Sequence, residues 1–240
     1  MKMIAPDFNH LIEIEGVDRP CARPVDIDQS KTGFESLRTL RVYRFEPGAV
    51  VDGHAEEDEV FLVLLAGSIE LTMTGEGATV GPYLLRGACE TGSEGCVTYL
   101  PPQGAYQLLA QERADVAYIR ATPSSGRAPL LLPRAEPESE EFASVLVDAG
   151  SCAQKLRLRL VRLDARAHSR QFSPTEDSES KLDALIHMAS VSAGGEVSVV
   201  EGEAPPQPLA PWSTLVVPAG HRPTLALHEG TVAVALIVLA

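Results

Sequence analysis

The side chains able to do chemistry are few and scattered. Six histidines and four cysteines stand among 240 residues. Cys21, Cys89, Cys96 and Cys152 form no Cys-x-x-Cys pair, which excludes a zinc knuckle and a thioredoxin-type motif and leaves reduced thiols as the expectation. His54 precedes the acidic run Glu56-Glu57-Asp58-Glu59, which has a plain reading as a solvated loop. His187 lies in the apolar string Leu185-Ile186-His187-Met188, the setting of a core histidine satisfied by a backbone carbonyl. His168 stands alone, and His221 follows a glycine in a turn. Arg222 is the sharper case. A guanidinium at a pocket mouth grips a carboxylate with two parallel hydrogen bonds, whereas one turned outward is merely solvated.

These residues must be positioned by strands. Short apolar stretches are bounded by Gly, Pro, Asp and Ser: Leu40 to Phe45, Val60 to Leu65, Ser68 to Met73, Cys96 to Leu100 and Val116 to Ile119. Others follow at Leu156 to Leu163, Leu182 to Met188, Glu196 to Val200, Ser213 to Val217 and Thr231 to Leu239. Ser68-Ile69-Glu70-Leu71-Thr72-Met73 alternates with the period of a half-buried strand. Helical pieces are expected only near Gln29 to Leu37 and Glu138 to Val147. The fold class predicted is all-β, as a sandwich or barrel.

The chain repeats itself. Arg41-Val42-Tyr43-Arg44-Phe45-Glu46 matches Arg159-Leu160-Val161-Arg162-Leu163-Asp164 at an offset of 118. Leu100-Pro101-Pro102-Gln103-Gly104 matches Val216-Val217-Pro218-Ala219-Gly220, and Val116-Ala117-Tyr118-Ile119 falls on Val232-Ala233-Val234-Ala235, both at 116. Two copies of one β unit are therefore expected, joined by the turn-rich segment Pro123 to Pro129. The domains predicted are an N-terminal arm over 1–35, a first barrel over 36–123, a linker over 124–150 and a second barrel over 151–240.

Composition limits the partners. The net charge of −13 repels phosphate backbones and anionic membrane surfaces, so neither nucleic acid nor membrane is an expected partner. The start shows no apolar signal region and no run approaches a membrane span, so a cytoplasmic protein is expected. Exposed edges of such barrels commonly pair between copies, which predicts a homodimer.

Two segments carry a family resemblance. Glu46-Pro47-Gly48-(x5)-His54-(x4)-Glu59-(x7)-Gly67 and Gly95-(x6)-Pro102-Gln103-Gly104-(x2)-Gln107 resemble the paired motifs of cupins, small jelly-roll β-barrels that often hold a metal. With Pro218-Ala219-Gly220 marking the second copy, the whole chain is similar to a bicupin. Within that superfamily, Arg44-Phe45-Glu46-Pro47-Gly48, Tyr99-Leu100-Pro101-Pro102 and Val217 to Pro223 look most like the 5-deoxy-glucuronate isomerase and 5-keto-4-deoxyuronate isomerase group.

That resemblance implies ketose–aldose isomerisation of a sugar acid on a divalent metal in the second barrel. The chain departs from the pattern there. Arg222 stands at a ligand-histidine position, the segment Ser173 to Ser178 contains no histidine, and Asp183 alone stands near the acidic ligand. A guanidinium cannot ligate a metal, so no metal is expected in the second barrel. In the first barrel the resemblance implies His54, Glu56, Glu59 and Gln107 as a set for a loosely bound divalent metal, with Glu56 and Gln107 replacing histidines. Register bears on this: if His54 keeps its place, the acid position falls on Val60 rather than Glu59, and a slip of one residue reverses the face.

The expected function is a bicupin that binds a small polar molecule, a sugar or sugar acid, with altered or lost metal chemistry. The alternatives are a metal-dependent sugar-acid isomerase and another cupin enzyme such as a dioxygenase or decarboxylase. Ligand-binding candidates are His54, Glu59, Tyr99, Tyr106 and Gln107 in the first barrel, for a neutral polyol or cation. In the second they are Asp183, His221 and Arg222, for an anion. The competing expectation is that side chains fill both barrels.

Overall fold

The structure, a computed structural model, describes residues 1–87, 96–123, 128–132, 143–148, 156–175, 179 and 181–240. The chain forms two compact units, one of Asp7–Arg134 with Ala149–Leu156, the other of Met1–Pro6, Ala135–Asp148 and Arg157–Ala240. Each consists of two antiparallel sheets.

In the first unit a seven-stranded sheet runs Leu130–Leu132, Val97–Leu100, Glu59–Ala66, Ala114–Ala121, Leu37–Phe45, Cys21–Asp28, Leu11–Ile12. The facing four-stranded sheet runs Val50–His54, Ala105–Ala110, Ser68–Gly75, Ala78–Arg86. In the second unit a six-stranded sheet runs Lys2–Ile4, Thr214–Val217, Ala184–Val191, Thr231–Leu239, Arg157–Ala165, Ala143–Asp148. Its companion runs Arg170–Phe172, Thr224–Leu227, Val197–Val200, Gln207–Pro208. The order of the middle strands is the same in both units, so the repeat in the sequence is a repeat of topology.

The strands form because apolar side chains recur on the faces that need covering. Val60 to Leu65 is an unbroken apolar run, and all six residues are buried, as befits a central strand covered on both faces. The segment 1–35 is divided: Lys2–Ile4 pairs with Thr214–Val217, and Cys21–Asp28 pairs with Leu37–Phe45. Of the expected helices, only Gln29–Thr32 forms, capped by the Asp28 carboxylate, which accepts from Lys31 N at 3.2 Å. Residues 143–148 are a strand, not a helix: the segment carries two β-branched valines and pairs antiparallel with Arg157–Ala165. The rest of that expected helix, most of the expected linker, Cys89 and Cys152 lie outside the described residues.

Pairing also corrects the phase of the repeat. Arg41 lies opposite Tyr118, and its counterpart Arg159 lies opposite Ile237. Tyr118 therefore corresponds to Ile237, an offset of 119, and not to Val234. By the same rule Tyr43 and Phe45 correspond to Val161 and Leu163.

Candidate functional site

That substitution pattern separates the two interiors. In the second unit Val161, Leu163, Ile186, Met188, Leu225 and Ile237 belong to one buried apolar cluster, closed further by Phe172 and Val191. Its barrel is filled by its own side chains. In the first unit the interior keeps a cavity of about 230 Å³.

Strands of both sheets build that cavity in layers, because side chains two apart share a face and rise roughly 7 Å per step. At the mouth stand Arg120 and, on the facing turn, Glu56. One step inward, Arg41 and Tyr118 sit side by side. Tyr43 lies deeper, opposite Val116, and Phe45 follows on the same strand. The four-stranded sheet contributes Tyr106 opposite Gly53 and Leu108 opposite Val51.

The aromatic rings form a belt. Tyr43 meets Tyr118 edge-on with centroids 6.4 Å apart, and Tyr106 tilts against Tyr118 at 6.5 Å. Tyr118 Oη donates to the carbonyl of His54 at 3.3 Å, tying the large sheet to the small one. Burial pushes the Tyr118 phenol up to about 12, and the Tyr106 phenol is raised further by the same cause. Both stay protonated at neutral pH. Gly53 is required beneath Tyr106, since a Cβ there would lie 2.5 Å from Tyr106 Oη and nearer still to its ring edge.

The mouth is an ion-pair rim. Arg120 Nε donates to Asp58 Oδ2 at 3.0 Å and Arg120 Nη2 to Glu56 Oε2 at 2.7 Å. Arg41 Nε donates to Asp26 Oδ1 at 3.0 Å, and Arg23 meets the other oxygen of Asp26 at 2.9 Å. The Glu56 backbone is fixed: its carbonyl accepts from Gln103 N at 2.6 Å and Gln103 Nε2 at 2.9 Å. Its side chain is nonetheless 67% exposed.

The residues expected from the sequence are dispersed. Tyr106 and Glu56 line the cavity, and His54 sits at its rim, an exposed residue. Gln107 is exposed and donates to Asp52 on the neighbouring strand, because its neighbours Tyr106 and Leu108 take the interior face. Glu59 and Tyr99 are fully buried and bonded to each other at 3.2 Å, but on the opposite face of the large sheet from Leu62, which lines the cavity. Val60, not Glu59, has the interior phase. In the second unit Asp183 accepts from Ala219 N at 2.8 Å, His221 Nδ1 meets Glu201 Oε1 at 2.5 Å, and Arg222 is exposed rather than inside a barrel. Sequence reasoning misses Arg41, Tyr43, Gly53, Tyr118 and Arg120; the available signal, for all but Gly53, is their alternation along the two strands that carry the repeat strings.

The divalent metal implied by the cupin resemblance does not fit the first barrel. The interior offers protonated phenols and two guanidiniums where imidazoles would be needed. Among the described residues no three His, Cys, Asp or Glu side chains come together as a metal-binding group.

Solved structures similar to this chain include an IolB-like protein from Salmonella typhimurium, at TM-score 0.67 and 14% identity over 96% of this chain and 92% of that one. A mutant oxalate decarboxylase from Bacillus subtilis matches at 0.67 and 12%, over 99% of this chain and 76% of its own. Protein YlbA from E. coli matches at 0.66 and 13%, over 99% and 89%. No protein-family model matches the chain, and no curated protein does. At these identities the likeness is one of fold, and the class it defines with the strand order above is the all-β tandem cupin barrel. Among the described residues no helix is long and apolar enough to cross a membrane.

Proposed function

We propose that this chain is a bicupin that binds a small polar or acidic molecule in its first barrel, without a metal. A sugar acid is one member of that class. The observation that carries the reading is the polar cavity itself: three phenols and two guanidiniums line it. Its volume of about 230 Å³ falls below that of drug-sized pockets, roughly 300–1,000 Å³, and suits a ligand of monosaccharide size. Isomerase, dioxygenase and decarboxylase chemistry on a cupin metal would each call for several imidazole ligands together; the first cavity has one imidazole, His54 at its rim, and among the described residues no three His, Cys, Asp or Glu side chains come together. An anion finds its cation in the first barrel, at Arg41 and Arg120, and not at the exposed Arg222.

Thermal-shift measurements on chelator-treated protein test this, with hexuronates, simple carboxylic acids and neutral sugars as probes. A ligand at a hundred times its Kd adds about 2.7 kcal/mol, worth roughly 5–10 °C in a chain of this size. The shift is expected from an acid, unaffected by chelator and by Arg222→Ala. A shift that appears only on adding a divalent metal would overturn the reading.

A further inference from the structure

The cavity of the first barrel is graded in polarity, and a sugar acid is not. A hexuronate carries hydroxyls around its whole ring. Below the tyrosine belt the walls are Phe45, Val51, Leu62, Leu108 and Val116, which offer no hydrogen-bond partner from a side chain. Desolvating hydroxyls against such a floor is unfavourable. Arg41, Arg120 and Glu56 stand at the other end; Asp52, which also lines the cavity beside Val51, is exposed and accepts from Gln107 Nε2 at 3.0 Å. Ile12 and Ile14 add further apolar surface.

The rim carries more cation than a neutral guest needs. Arg23 and Arg41 share the one carboxylate of Asp26. Arg120 holds Asp58 and Glu56, and Glu56 reaches it from a side chain 67% exposed to solvent. Glu56 stands on a non-glycine residue in the left-handed region, φ 54°, with its backbone pinned by Gln103. The side chain can therefore swing into water with no movement of the turn. When it does, Arg120 keeps one carboxylate partner and gains an open edge, and the rim gains a net positive charge. The second barrel shows the same chemistry closed: Arg159, the counterpart of Arg41, is bonded to the buried carboxylate of Glu179. An interior arginine of this fold takes a carboxylate.

Resting on the reading of the first barrel as the ligand site, we propose that it takes a small monocarboxylate with an apolar body, aryl or branched alkyl. The body lies on the floor below the tyrosines. The carboxylate reaches Arg41 and Arg120 and displaces Glu56, which acts as its resident competitor. The Tyr118 and Tyr43 hydroxyls flank the head group.

Calorimetric titration of phenylacetate, 4-methylpentanoate, phenylacetamide and glucuronate into the full chain tests this, with Glu56→Gln alongside. Phenylacetate or 4-methylpentanoate is expected to bind at least about tenfold more tightly than glucuronate: all three carry one carboxylate, and burying an apolar body rather than ring hydroxyls on the floor is worth at least about a factor of ten. Phenylacetamide, the same shape without the charge, is expected to bind at least about tenfold more weakly than phenylacetate. Glu56→Gln removes the competing charge and is expected to tighten the apolar acids several-fold, with circular dichroism confirming an unchanged fold. Were Glu56 instead an acceptor for ligand hydroxyls, the same change would weaken binding. Tighter binding of glucuronate, equal binding of the amide, or weakened binding in Glu56→Gln overturns the apolar-acid assignment. Glucuronate binding alone does so while leaving the broader reading of the cavity intact. No binding by any of the four overturns both.

Discussion

Gly53 is where the cavity wall is most sensitive to a single atom. In the Gly53→Ala protein the new methyl would stand 2.5 Å from Tyr106 Oη and closer to the ring edge. Ordinary contact needs at least about 3.4 Å, so the phenol must move by about 1 Å or more. Tyr106 is wedged against Tyr118, and Tyr118 is bonded to the His54 carbonyl, so a shift of one ring disturbs the belt. Overpacking of this kind costs roughly 1–3 kcal/mol, or about 2–12 °C in midpoint for a chain of this length. A double-mutant cycle isolates the clash: Gly53→Ala is measured alone and in a Tyr106→Ala background by urea unfolding. The expected coupling is 1–3 kcal/mol, because with the ring gone the methyl has room. If Gly53→Ala costs the same in both backgrounds, the penalty belongs to the backbone, and the account of Tyr106 as the wall over Gly53 is wrong.

Two further outcomes follow from buried ionisable groups in the second unit. His187 is fully buried, its Nδ1 is 3.0 Å from Thr214 Oγ1, and burial lowers its pKa from 6.5 to about 4. The unfolded chain takes up this proton near pH 6.5 and the folded chain only near 4, so acidification across that window favours unfolding by up to ~3 kcal/mol. Unfolding titrations at pH 4.5 and 7 are expected to show this slope in the native chain and to lose it in His187→Leu. Glu179 is 2% exposed and accepts from Arg157 at 2.7 Å and from Arg159. Glu179→Gln leaves a buried guanidinium poorly compensated and is expected to cost about 3 kcal/mol in midpoint-derived stability, with the cavity of the first barrel unaltered.

The fold was legible where apolar runs are dense. Val60 to Leu65 and Thr231 to Leu239 are central strands, and their sequences admit little else. Strands of the small sheets were harder to see. Val50–His54 carries Gly53, and Ala78–Arg86 carries Gly81 and Pro82, residues that ordinarily argue against a strand. The candidate site was less legible still, for a physical reason. Leu37–Phe45 and Glu59–Ala66 are covered on both faces, so alternation does not say which face is the interior of the barrel. Glu59 was drawn toward the site by its motif, yet it has the opposite phase from Leu62. Tyr118 was visible as part of a repeat string, but an offset of 116 aligned it with Val234, hiding that tyrosine stands where the filled barrel has Ile237.

The pairing of Lys2–Ile4 with Thr214–Val217 has a consequence for the order of events during synthesis. Lys2–Ile4 belongs to the same unit as Arg157–Ala240 and is made about 210 residues before the strand it pairs with. While the intervening chain folds, Lys2–Ile4 waits without its partner, and the edge it will cover has not yet been made. Contacts this remote in sequence close slowly. The same arrangement means that no single cut separates the two units, since a break near residue 125 leaves the second one without its outermost strand. Thr214–Val217 would then present an unpaired apolar edge, the kind of surface on which sheets of different molecules join.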